Sequence, residues 1–171
     1  AYKLVAEETG AEALFVSDET YKRYVAGFLT EGGFAVADRG GTTLFTDARY
    51  LEAAEKRLVP LGVKVETLSK ENKPELYLKK YKSVAVPFSE ISYAEFLTLQ
   101  QSGAKLSDAT NALRECAKVK TEGELNAISR ACEIAEEGLT KTLGEIKEGM
   151  TEREVAAILE HEMRAFGADG T

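Results

Sequence analysis

Short apolar runs and longer three-four repeats divide this chain into two regimes. From residue 1 to about 110, β-rich runs alternate with short helical patterns. From about 111 to 167 the pattern is helical and free of proline. Ala13-Leu14-Phe15-Val16 is apolar at every position, as a strand buried on both faces requires. Tyr2 to Glu8 precede it as a helix ended by Gly10. Ser17-Asp18 caps the next helix, which runs through Tyr24 and is stopped by Gly27. Gly32-Gly33 turns into a second strand, Phe34-Ala35-Val36-Ala37. Asp38-Arg39-Gly40-Gly41 is a hairpin turn, since glycine supplies the positive φ it needs, and Thr42 to Thr46 returns antiparallel. Asp47 opens a helix with Leu51, Ala54 and Leu58 on one face, closed by Pro60-Leu61-Gly62.

Val63-Lys64-Val65-Glu66-Thr67 alternates strictly and predicts a half-exposed edge strand. Pro74 begins a helix that carries Leu76, Leu78 and Tyr81. Val84-Ala85-Val86 is a short buried strand closed by Pro87, and Lys105 to Ala109 a last one. Between them Ser92-Tyr93-Ala94-Glu95 has the spacing of a capping box. Strands interleaved with helices, with one hairpin, predict an α/β fold around a mixed, mostly parallel sheet.

The second regime predicts two helices. Thr121-Glu122-Gly123-Glu124 is a capping box, after which Leu125, Ile128, Cys132, Ala135, Leu139, Leu143 and Ile146 mark one long apolar face. On that face Cys132 is expected to pack as a small hydrophobe. Thr151-Glu152-Arg153-Glu154 repeats the capping box, and Val155, Ile158, Leu159, Met163 and Phe166 form a second face ended by Gly167. The stub from about Thr151 is expected either to be disordered or to have its apolar face covered by a second copy of the chain.

Composition narrows the partners. The 171 residues carry 22 basic and 29 acidic side chains, a net charge of −7, with no basic block. Nucleic acid and anionic membrane are therefore not expected partners. At 44% hydrophobic and 30% charged, the chain reads as a soluble globular protein, long enough for its own core. No charged-then-apolar leader is visible, and one ahead of Ala1 stays open. Cys116 and Cys132 make no disulfide framework.

Phosphate-cradling glycine motifs and the Gly-x-Ser-x-Gly elbow are missing from the sequence. His161-Glu162-Met163-Arg164-Ala165 begins like a zinc helix but has Ala165 where the second histidine belongs. With one histidine in all, a histidine-rich metal site is excluded within this chain. Leu44-Phe45-Thr46-Asp47-Ala48-Arg49-Tyr50 has more content, because it sits at a strand-to-helix junction. In one reading Asp47 caps the helix, Arg49 pairs with a nearby acid and Tyr50 packs under the sheet edge. In the other, Asp47 fixes the Arg49 guanidinium so that it points toward a partner or a substrate carboxylate.

Three stretches in order carry a family resemblance. They are Tyr24-Val25-Ala26-Gly27-Phe28, Gly33-Phe34-Ala35-Val36 and Leu44-Phe45-Thr46-Asp47-Ala48-Arg49-Tyr50. Together they resemble the N-terminal domain of the creatinase, prolidase and aminopeptidase P family. Lys120-Thr121-Glu122-Gly123-Glu124-Leu125 looks like the family's linker helix. Gly149 to Ala156, Leu159-Glu160 and Gly167-Ala168-Asp169-Gly170 look like the opening of its pita-bread catalytic domain. Leu29-Thr30-Glu31 and Ala117 depart from the family pattern, which has small polar residues and Arg there.

The resemblance implies a ribonuclease H-like sheet with helices on both faces, then a long helix and a helical stub. It divides the chain into an α/β domain at 1–112, a linker helix region at 113–149 and the start of a catalytic domain at 150–171. It implies a cytoplasmic enzyme that hydrolyses Xaa-Pro bonds with two divalent metal ions, manganese, cobalt or zinc, activating a water. The family's metal ligands lie beyond Thr171, so this chain is expected to hold no cofactor and to be inactive alone. Its partners would be its own catalytic domain, a second subunit in a homodimer and, in the whole enzyme, a proline-containing peptide. Asp47, Arg49 and Tyr50 would serve the substrate or subunit contact. A catalytically dead binding module and a creatinase-like amidohydrolase are the alternatives.

Overall fold

The computed structural model describes residues 1–170; Thr171, the end of the expected 150–171 segment, lies outside the described residues. The chain forms two compact units, Ala1–Lys118 and Val119–Thr171.

The first unit is a six-stranded sheet wrapped by helices. Its strands are β1 (Ala13–Val16), β2 (Phe34–Asp38), β3 (Gly41–Thr46), β4 (Lys64–Thr67), β5 (Ser83–Val86) and β6 (Lys105–Asp108), in the order β4-β3-β2-β1-β5-β6. Three neighbouring pairs, β3/β4, β1/β5 and β5/β6, are parallel. The other two both involve β2, which lies antiparallel to β1 and to β3. Five strands therefore run one way and β2 alone runs against them, so the sheet is mostly parallel. The β2/β3 hairpin falls where the glycines predict it, with Asp38 opposite Gly41. The pairing of β2 with β1 carries no turn signal, because a helix separates the two strands.

Alternation along the strands sorts the core into two layers. Leu14, Val16, Ala35, Ala37, Leu44 and Ala85 share one cluster with Val5, Ala26, Leu58 and Leu113. These last four belong to α1 (Tyr2–Thr9), α2 (Glu19–Ala26), α3 (Ala48–Leu58) and α6 (Thr110–Lys118). Small side chains on this face let four helices approach closely. The opposite face carries Phe15, Phe34 and Phe45, packed with Leu78 and with Leu99 of α5 (Tyr93–Gln100). Phe34 stacks on Phe45 at 4.3 Å and on Phe15 at 5.4 Å between ring centroids. Each buried phenyl contributes about 1.5–3 kcal/mol of transfer free energy.

Caps act where the sequence places them. Asp18 accepts from the Tyr21 amide at the start of α2, and Ser92 from the Glu95 amide at the start of α5. Gly10 and Gly27 end α1 and α2 in the left-handed region. The helix predicted after Pro74 is shorter than its apolar spacing suggests. It is one turn, α4 (Pro74–Tyr77), followed by a 3-10 turn at Leu78–Lys80. The helical regime also holds three helices rather than two. Thr121 is extended and caps α7 (Glu122–Glu145) with its own reciprocal box, which sets that helix apart from α6.

In the second unit α7 pairs with α8 (Glu152–Ala165), and Thr151 and Glu154 form the second reciprocal box. The line that α7 buries is Ile134, Gly138 and Thr142. Its more apolar line is exposed: Leu125, Ile128, Leu139, Leu143 and Ile146 are each about half open or more. Cys132 is exposed as well, contrary to its expected packing. Close helix approach selects a small residue at the crossing, and hydrophobicity alone does not reveal that choice. Among the described residues no helix is long and apolar enough to cross a membrane.

Candidate functional site

All five co-directional strands end at one edge of the sheet, the edge where open α/β folds place their sites. Asp47 follows β3 there. Its backbone is extended, at φ −76° and ψ 167°, and its side chain accepts from the Arg49 amide at 2.8 Å, so Asp47 is the N-cap of α3. The same carboxylate grips the Arg49 guanidinium. Nε lies 3.2 Å from both oxygens and one terminal nitrogen lies 2.8 Å from Oδ2. The other terminal nitrogen is 3.9 Å from Glu31. Tyr50 is half-buried, and the guanidinium carbon sits 5.4 Å from its ring centroid.

Asp47, Arg49 and Tyr50 are thus brought together. The cap and the grip on Arg49 coexist, because one carboxylate has oxygens enough for both. The guanidinium beside it holds the Asp47 carboxyl below the usual carboxylate range, and the carboxylate in turn raises Arg49. Arg49 is 70% exposed, so the pinned cation faces outward. Burial of the ion pair adds little at such exposure. What the geometry supplies is a cation of fixed direction.

Sequence reasoning missed the loop that brings Glu31 to Arg49, residues 28–33. Lys22 of α2 is completely buried, and its Nζ donates to the Gly32 carbonyl. The buried Thr30 hydroxyl donates to the same oxygen at 3.1 Å. Gly32 and Gly33 both lie in the left-handed region, at φ +66° and +73°. Burial pushes the Lys22 amine down, against the opposing pull of Glu19 and Asp18. Nothing in the pattern marks Lys22 as buried, since a lysine in a short helix reads as a solvent-facing residue.

The remaining strand ends carry other chemistry. Asp108, the last residue of β6, accepts from the Thr110 amide at 2.9 Å and the Phe88 amide at 3.1 Å. Burial works against its ionisation, but these bonds and the Thr110 hydroxyl hold it below the usual range. Phe88, Tyr93 and Phe96 line an apolar hollow of about 280 Å³. At the opposite edge a groove of about 870 Å³ runs past Tyr2, Glu12, Arg39 and Tyr81, with the Tyr81 hydroxyl donating to Asp38. Burial and that bond raise Tyr81. Among the described residues no group of three or more His, Cys, Asp or Glu side chains is placed to hold a metal ion, so these residues do not fit a metal site. His161 is exposed on α8.

A family model for the creatinase/prolidase N-terminal domain matches residues 3–118. The chain belongs to that family. The model for metallopeptidase family M24 follows it in order, over residues 126–171. Among curated proteins, an Xaa-Pro dipeptidase of Pyrococcus horikoshii is 26% identical over 166 residues, covering 95% of this chain and 46% of the relative. The chain thus spans about half the length of the curated relatives it matches. Among solved structures, the prolidase of Pyrococcus furiosus superposes with a TM-score of 0.86 at 25% identity, covering 98% of this chain and 53% of that one. An X-Pro aminopeptidase of Thermotoga maritima gives 0.86 at 26% identity, with 97% and 50% covered. The creatinase/prolidase chain described here therefore shares both its sheet and its helical pair with peptidase structures. It is an N-terminal portion of the prolidase-family type.

Proposed function

We propose that this chain is the non-catalytic N-terminal part of an Xaa-Pro peptidase, aminopeptidase or dipeptidase, and that it serves subunit pairing and capping of an active site. The observation that carries the reading is the order of the two family matches, an N-terminal domain at 3–118 and the M24 peptidase model from 126. The similarity to dipeptidase and aminopeptidase structures supports it. In that reading Asp47, Arg49 and Tyr50 form the contact that meets a second subunit or the peptide carboxylate it holds. A fixed, outward-facing guanidinium suits that task, because its planar fork pairs with a carboxylate in two bonds. The whole enzyme would be cytoplasmic and use two divalent ions, manganese, cobalt or zinc. No residue described here is assigned to those ions.

The test has two arms. The chain alone, supplied with each of these metals, is expected to cleave no Xaa-Pro dipeptide; cleavage would overturn the non-catalytic role. Light scattering is expected to show a dimer that Arg49→Glu reduces to monomers. A wild-type monomer, or an R49E dimer, overturns the subunit-contact role.

A further inference from the structure

The buried lysine lies in α2, outside the sheet. Among the described residues no carboxylate pairs with Lys22. Yet its side chain is fully enclosed and its Nζ ends on the Gly32 carbonyl. An enclosed ammonium is costly unless hydrogen bonds compensate it. The atom it does reach therefore indicates what it is there to hold.

That atom is one residue from Glu31. Thr30 and Gly32 on either side of Glu31 are fastened to each other through the shared carbonyl. Gly33 lies directly on β3, where an added Cβ would come 2.1 Å from the Phe45 carbonyl oxygen. Among the described residues Glu31 makes no side-chain hydrogen bond, and its 3.9 Å approach to Arg49 links it to the site. Its position is inherited from its neighbours.

We propose that Lys22 is a positioning residue: it fastens residues 30–33 to α2 and so keeps Glu31 opposite Arg49. The proposal rests on the reading of Arg49 as a contact group and adds what sets the geometry of that contact. Glu31 then competes with any incoming carboxylate for the free edge of the guanidinium, and the held loop fixes how strongly it competes. Lys22 acts through the backbone and touches no partner.

The test uses the 171-residue chain and Lys22→Met, which keeps the length and apolar stem of the side chain. The Gly32 carbonyl keeps its bond from Thr30, so no acceptor is orphaned. Backbone order parameters of residues 30–33 are expected to fall from about 0.85 to below about 0.6. The urea midpoint is expected to stay or rise, since a buried charge has been removed. Lys22→Arg, which retains a donor, is expected to restore part of the order. Unchanged order parameters in K22M, or a lower midpoint with a rigid loop, overturn the proposal. Should K22M fail to fold, the wild-type chain still decides. Its Lys22 ammonium protons should exchange slowly enough to be observed, and rapid exchange overturns the proposal. These readings do not depend on assembly. A loosened loop with the dimer untouched by R49E upholds Lys22 and removes the Arg49 contact; the reverse pattern removes Lys22 alone.

Discussion

Gly33 lies against the backbone of Phe45 so closely that a Cβ on residue 33 would stand 2.1 Å from the Phe45 carbonyl oxygen. That oxygen cannot swing aside, because β3 is paired on both sides. Gly33→Ala must therefore lift the loop off the strand. Gly10 has a similar φ, +69°, with nothing within 4 Å of the same Cβ. Gly10→Ala meets only the left-handed penalty, about 1–2 kcal/mol. Gly33→Ala is expected to cost more, about 3 kcal/mol or above. Urea denaturation of the two variants side by side isolates the clash from the dihedral; equal losses would refute the close approach.

The double use of Asp47 separates two substitutions. Asp47→Asn keeps an oxygen to accept from the Arg49 amide but loses the charge that grips the guanidinium. Asp47→Ala loses both. The thermal midpoint is expected to fall in D47A and to hold in D47N. The Nε–Hε signal of Arg49 is expected to move in both. A signal that moves only in D47A would mean that the cap, and not the carboxylate charge, directs Arg49.

Much of this was legible in the residues themselves. Gly10, Gly27, Asp18 and Asp47 mark real helix ends because caps and left-handed glycines are local chemistry. The Asp38–Gly41 hairpin is local for the same reason. Asp47, Arg49 and Tyr50 adjoin in sequence, so their grouping needed no tertiary information. Glu31 and Lys22 did. One reaches Arg49 from a different loop, and the other is enclosed by packing that no periodicity encodes. The long helix failed for a related reason. Its most apolar line, from Leu125 to Ile146, is exposed, while the line through Ile134, Gly138 and Thr142 makes the contact.

Acid and base should act on stability in ways that can be told apart. Asp47, Asp108, Glu124 and Glu154 are held below the usual carboxylate range, Asp47 by Arg49 and the two glutamates by the amides of Thr121 and Thr151. Depressed carboxylates contribute stability above their unfolded values and lose it as pH falls through the folded ones. The midpoint is therefore expected to drop on acidification below about pH 4. Lys22 has the opposite sense. The unfolded chain binds its proton more readily than the folded one, so folding gains stability as pH rises from the folded value toward the ordinary lysine value. Asp18 and Glu19 are the charged groups acting on it, and both oppose the effect. Wild type minus K22M, measured by urea midpoints across the alkaline range, should show that rise. A difference flat with pH would show that Lys22 is protonated alike in both states.

Gly138 and Gly144 give the second unit a comparable pair. A Cβ on Gly138 would lie 2.7 Å from Met163 Cγ and 3.3 Å from the Met163 amide nitrogen. Cγ is near the backbone, so turning the end of the methionine does not clear the space, and α8 must move outward. The helix propensity gained by Gly138→Ala, about 1 kcal/mol, works against that separation. Because the contact involves α8 backbone, the loss of packing is expected to win, and hydrogen-exchange protection along α8 should fall. Gly144 has open space around it on the same helix. Gly144→Ala is expected to leave α8 protected and to strengthen the end of α7 by up to about 1 kcal/mol. Should both variants protect α8 equally, the crossing at Gly138 would not be the contact that holds the two helices together.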